Sequence, residues 1–238
     1  MNAMLKLLPT FLLASGLSHA ATITEGNSLI PTGLGVGDSF HLVFGLDKNF
    51  SSTNTVAAFN AYVTDAANNT GSFAGGNSVV AGLGADWFVI GSEIDTTPVT
   101  GFTIHARDNA LVTTGVYLIN GVKVADGFAD MWDGTLDNAI NLQKDGVTAY
   151  TTLSHTGTTS AGFAIGSNQT FGPNTGQTRI SRGFVATDST WIESGNETHR
   201  TSRGVYALSE SITIVAVPEP TTSLLGGIGL LFLLRRRR

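Results

Sequence analysis

The chain has 238 residues, with 13 Lys and Arg against 18 Asp and Glu, 29 glycines and no cysteine. The missing cysteines exclude disulfides, thiolate metal sites and thiol nucleophiles. The acidic balance argues against nucleic acid as a partner, because phosphate binding needs a basic face.

The N-terminus reads MNAMLKLLPTFLLASGLSHAATIT. Lys6 supplies positive charge, Leu7 to Leu17 is mostly apolar, and Ser18 and Ala20 place small residues at −3 and −1 of a cleavage site. That order is a secretory signal peptide, too short in its apolar run for a stable span. Residues 1–20 are expected to be removed after Ala20 by signal peptidase, leaving Ala21 first. The body, residues 21–216, is long enough for one extracellular domain of good size.

Within the body, SFHLVFGL (39–46) alternates and reads as a strand. TNTVAAFNAYVTDAANNTG, from Thr53, spaces Val56, Phe59, Val63 and Ala66 as a helix over about 54–68. Thr53 or Asn54 is the expected cap and Gly71 the stop. ADWFVIGS, from Ala85, reads as a near-continuous apolar strand. TGVYLINGVKVADG, from Thr114, reads as a hairpin on a two-residue Asn120-Gly121 turn, with Val116, Leu118, Ile119, Val122 and Val124 supplying core positions. SAGFAIGS (160–167) and ISRGFVAT (180–187) read as short strands, and RGVYALSESITIVAV (203–217) as one long final strand. This order predicts an α+β fold: a single loop-rich domain of mostly antiparallel strands with one early helix. The alternative is a helix-free β-sandwich.

The chain ends in VPEPTTSLLGGIGLLFLLRRRR, residues 217–238. Thr221 to Leu234 is 14 residues, about 21 Å as a helix, against a hydrocarbon core of about 30 Å. Gly226, Gly227 and Gly229 weaken that short C-terminal hydrophobic helix, and Arg235 to Arg238 would stay cytoplasmic. The segment can hold an exported chain transiently at the inner membrane. It reads as a handle for processing.

Pro218-Glu219-Pro220, the short transmembrane segment and the arginine tail (Arg235, Arg236, Arg237, Arg238), in that order, resemble a PEP-CTERM sorting signal. The resemblance implies a Gram-negative, exopolysaccharide-producing host and recognition by an exosortase, a membrane cysteine protease-transpeptidase that removes the tail near the motif. The segments SFHLVFGL, FNAYVTDAA, DWFVIGSE, ARDN, VYLINGVKVADGFADMWDGTLDNAIN and STWIES…VYALSESITIV resemble, in order, a body common among PEP-CTERM proteins. More faintly, they resemble endostatin and C-type-lectin-like domains.

Candidate chemistry in the body is sparse. Asp126, Asp130, Asp133, Asp137 and Asp145 crowd VADGFADMWDGTLDNAINLQKDG, where hard oxygen ligands beside glycine turns suit calcium. The same residues are ordinary turn formers, and the spacing is not that of an EF-hand; no metal or other cofactor is assigned, with calcium the cation to test. Trp132 is expected to pack beneath this loop. His105, Arg107 and Asp108 lie close enough in sequence for a polar cluster. Neither HExxH nor GxSxG occurs, so no catalytic residue is assigned. The expected protein is exported and exosortase-sorted, a structural or binding module of the cell surface or exopolysaccharide and not an enzyme. The alternative is a secreted polysaccharide-active hydrolase using Glu93, Asp95 or Glu193 beside Trp87 or Trp191. A permanently anchored surface protein is a third.

Overall fold

Phe40, Leu42, Phe44 and Leu46 alternate with His41, Val43 and Gly45, and all seven are buried. A strand with both faces buried must lie at the centre of a layered domain. A computed structural model describes residues 20–95, 101–166, 169–172, 179–199 and 201–218, and this strand is its centre. Residues 1–19, where the signal peptide is expected, and the tail from Glu219 onward lie outside the described residues.

The strands in chain order are β1 (Ala21–Thr24), β2 (Ser39–Ser51), β3 (Trp87–Val89), β4 (Glu93–Ile94), β5 (Thr103–Ile104) and β6 (Val116–Leu118). They continue with β7 (Lys123–Ala125), β8 (Ser154–His155), β9 (Arg179–Gly183), β10 (Gly195–Thr198), β11 (Ser202–Ser209) and β12 (Ile212–Val215). The helices are α1 (Val56–Asn68) and the single turns α2 (Ala106–Asn109) and α3 (Phe128–Met131). The main sheet runs β1-β12-β2-β11-β8-β9-β10, with β3 on β11 and the β6–β7 hairpin on β2; β4 and β5 form a separate ribbon. Antiparallel pairing predominates, as an α+β domain of this kind requires; β1–β12, β2–β6 and β8–β11 are parallel.

The alternation in β2 sorts two cores. Phe40, Leu42, Phe44 and Leu46 pack with Val205 and Ala207 of β11 against Val56, Phe59, Val63 and Ala66 of α1. Val43 packs with Tyr206 and Leu208 against Val116, Leu118, Trp132, Tyr150 and Trp191. One face of the sheet is therefore covered by a helix and the other by loops. That loop layer needs large side chains to fill it, and Trp132, at 6% exposure, lies in it as expected.

Helix α1 begins later and ends earlier than its flanking residues suggest. Thr55, not Thr53 or Asn54, is the cap, its Oγ1 accepting the Ala58 amide at 3.2 Å. The Val56 amide is satisfied from afar by Glu93 Oε2 at 2.7 Å. At the other end Asn69, not Gly71, takes the left-handed conformation (φ 54) that stops the helix.

The hairpin forms where expected, but on a different turn. Gly121 N–H donates to the Leu118 carbonyl at 2.8 Å with φ 85, and Leu118 N–H donates to the Val122 carbonyl at 2.8 Å. Asn120 does not have positive φ, so this is a three-residue loop with a glycine bulge, not a two-residue turn. Val116, Leu118, Ile119 and Val124 are buried, whereas Val122 closes the hairpin tip and is 39% exposed.

Three other expected strands are shortened. The apolar run from Ala85 pairs only over Trp87–Val89. Among its described residues SAGFAIGS forms one bridge, Ala164 to Thr158, because Gly162 turns the chain at φ 79. In ISRGFVAT the pairing stops at Gly183. The final run divides into β11 and β12: Leu208 lies opposite Val43 and Ile212 opposite Phe40, so three residues face two of β2. That misfit breaks the strand at Glu210 and Ser211.

Candidate functional site

β12 stops where its partner β1 ends, with Val215 opposite Thr24, and Pro218 further on lacks the amide hydrogen that a sheet ladder needs. Val215 is the last strand residue, and Ala216, Val217 and Pro218 are exposed. Two residues thus separate the folded domain from the Pro-Glu-Pro motif. At the other terminus, Ala20 is exposed and Ala21 opens β1, which runs parallel to β12 with Ala21 opposite Ile212 and Thr24 opposite Val215. Ala21 and Ile23 are buried in this pairing. The first residue expected after signal-peptide cleavage is therefore the first residue of the sheet. Glu219, Pro220, the apolar segment and Arg235 to Arg238 lie outside the described residues; among the described residues no helix is long and apolar enough to cross a membrane.

Of the five aspartates, the structure brings three together. Oxygen atoms of Asp126, Asp130 and Asp137 lie within 4.8 Å of one another. Lys123 Nζ stands among them, 2.6 Å from Asp126 and 3.3 Å from Asp137. Those two carboxylates hold the ammonium charged well above its usual range. The chain therefore supplies its own cation to this group. Asp133 is turned aside: its Oδ1 accepts the Thr135 amide and hydroxyl, both at 2.8 Å. Asp145 sits elsewhere, closing its own turn onto Val147 and Thr148.

The two tryptophans named for sugar chemistry are core residues, and two of the carboxylates accept backbone amides. Trp87 and Trp191 are each 1% exposed. Glu93 is buried and caps α1, and Glu193 Oε2 accepts the Ser160 amide at 2.9 Å. Asp95 pairs its backbone with Phe102 at the end of the β4–β5 ribbon. His105, Arg107 and Asp108 are organised around Phe163: the Arg107 guanidinium lies 3.6 Å from its ring centroid, and His105 meets the ring edge-on.

One charged network has no signal in the sequence. Four strands, β8 to β11, bring His155, Arg182, Glu197 and Arg203 together across widely spaced positions. His155 is fully buried, its Nε2 2.9 Å from Glu197 Oε1. Arg203 grips both Glu197 oxygens at 2.9–3.1 Å, and Arg182 Nη1 stands 3.4 Å away. Burial pushes His155 down to about 4, against the pull of Glu197. Burial would raise Glu197, but the Arg203 hydrogen bonds and His155 hold it below the usual range.

Protonation of His155 thus favours the unfolded chain between its ordinary pKa of 6.5 and about 4. Its contribution is complete above pH 6.5 and falls away as pH drops to about 4, an effect on the order of 3 kcal/mol. Urea unfolding from pH 7.5 to 4 should show this loss, and His155→Leu should flatten the slope. An equally steep slope in His155→Leu would assign the acid sensitivity to other groups.

Residues 216–238 match the family model described as the PEP-CTERM protein-sorting motif. No curated protein and no solved structure matches the chain. The motif begins at the residue after β12 ends. The chain is thereby an exosortase-sorted, exported protein that associates with the cell surface of a Gram-negative bacterium.

Proposed function

We propose that the body, residues 21–216, is a non-enzymatic binding module that the tail delivers to the outer surface, where it associates with exopolysaccharide. The observation that carries the reading is the sorting motif at 216–238, which begins at the residue after the last strand of a folded domain. An exosortase acting at Pro218-Glu219-Pro220 would leave the last strand intact, since all four β12 residues pair with β1, and Ile212 and Thr213 also with β2, before the motif begins. Signal peptidase would free Ala21 at the other end.

Two further points support binding over catalysis. The carboxylates Glu93 and Glu193 accept backbone amides, and the three tryptophans fill the two cores. Calcium at Asp126, Asp130 and Asp137 would require displacement of Lys123, so metal dependence is not part of the proposal.

The test is a glycan array probed with the full chain in detergent, followed by turnover assays on every polysaccharide that binds. Retention on a defined polysaccharide without release of reducing ends is the expected result. Turnover lost on changing one carboxylate would replace this reading with the hydrolase.

A further inference from the structure

A cleft of about 400 Å³ opens where α2, the loop after it, Phe88 of β3 and the break between β11 and β12 converge. That size is within the range of small-ligand sites. Its floor is His41, 1% exposed. The Thr113 amide donates to His41 Nε2 at 3.0 Å, so the ring proton sits on Nδ1, which donates to the Ser209 carbonyl at 2.9 Å. Burial lowers the His41 pKa, and the neutral ring is a fixed post holding one wall to the other.

The walls offer acceptors to a ligand. Asp108 is largely exposed, and the only ion pair on its carboxylate among the described residues is a long one of 4.0 Å with Arg107. Glu210 uses Oε1 to accept the Asp86 amide at 3.0 Å, which fixes the side chain and leaves Oε2 outside that bond. Asn109 is engaged by Asn60 and the Val89 carbonyl, which makes it a rigid part of the wall. Leu111, 56% exposed, and Phe88 supply an apolar face. No Lys or Arg lines the cleft.

Carboxylate acceptors beside an apolar face, with no cation, select a ligand that has several O–H or N–H donors, a flat C–H surface and no anionic group. A neutral or amino-substituted sugar ring has this chemistry, and a uronic acid does not. We propose that this cleft is the glycan-binding site, for one or two sugar units of a non-anionic polysaccharide; the inference rests on the binding role proposed above. Its placement suits that role. Glu210 and Ser211 precede β12 and the sorting motif follows it, so cleft and tail lie at opposite ends of a strand about 13 Å long. A body held by its tail presents the cleft at the far end.

Titration of the full chain with cello-, chito- and oligogalacturonate oligosaccharides tests this directly. A neutral or amino oligosaccharide should bind, and oligogalacturonate should not. Asp108→Asn combined with Glu210→Gln, which keeps the acceptor for Asp86, should weaken binding by about tenfold or more, since each removes a charged acceptor. Leu111→Ala should weaken it independently, with the unfolding midpoint of all variants unchanged. Binding of any oligosaccharide that these substitutions leave intact would overturn the cleft while keeping the binding role. Preference for oligogalacturonate would overturn the ligand class. Failure of every glycan to bind would remove both.

Discussion

Gly45→Ala should destabilise the body by about 3 kcal/mol, and Gly45→Val should prevent it from folding. Gly45 lies on the β2 face that carries Val43, and a Cβ there would fall inside the Tyr150 ring. The ring has nowhere to retreat. Tyr150 is fully buried, its hydroxyl 2.6 Å from Ser154 Oγ and its amide bonded to the Asn141 carbonyl. Gly45 itself donates to the Leu142 carbonyl at 2.8 Å, which holds the strand in place. Overpacking in such a site strains the backbone because neither partner can shift. Urea unfolding measures the cost. Tyr150→Leu should be destabilising alone yet recover part of the loss in the Gly45→Ala background, a coupling that identifies the ring as the obstacle. Additive effects would place the strain elsewhere.

The second large effect concerns the tail. Replacing Pro218, Glu219 and Pro220 by alanine should abolish processing and leave the chain in the inner-membrane fraction with its arginines intact. The body should be unaffected, because its last strand residue is Val215. Deleting residues 221–238 should instead release the body without surface attachment. Cell fractionation with antibodies to the body separates the outcomes. Normal surface display of the triple-alanine chain would contradict recognition of the motif.

Much of this architecture was legible because local pattern and tertiary role agree. Strand β2 alternates between two buried faces, α1 shows its core residues at three- and four-residue spacing, and the β6–β7 hairpin declares itself through Asn120-Gly121. The sorting tail is a motif with order and position, which is why it could be read without any structure. What stayed hidden depends on distant partners. β1 is four unremarkable residues until β12, 191 positions later, pairs with it. The α1 cap is shared between Thr55 and Glu93, and no local rule points to a carboxylate 37 positions away. The break between β11 and β12 follows from register against β2, which hydrophobicity does not encode. The same holds for function. Asp126, Asp130 and Asp137 do converge, yet the cation among them is Lys123, whose role depends on the hairpin that carries it. The cleft at His41 joins residues from five segments, and none of them forms a motif.

Intact-mass measurement of the protein recovered from the cell surface tests the central claim most directly. Export and sorting predict a chain that begins at Ala21 and ends near Pro218-Glu219-Pro220, without Arg235 to Arg238. Recovery of surface protein that still ends in Arg238 would contradict it.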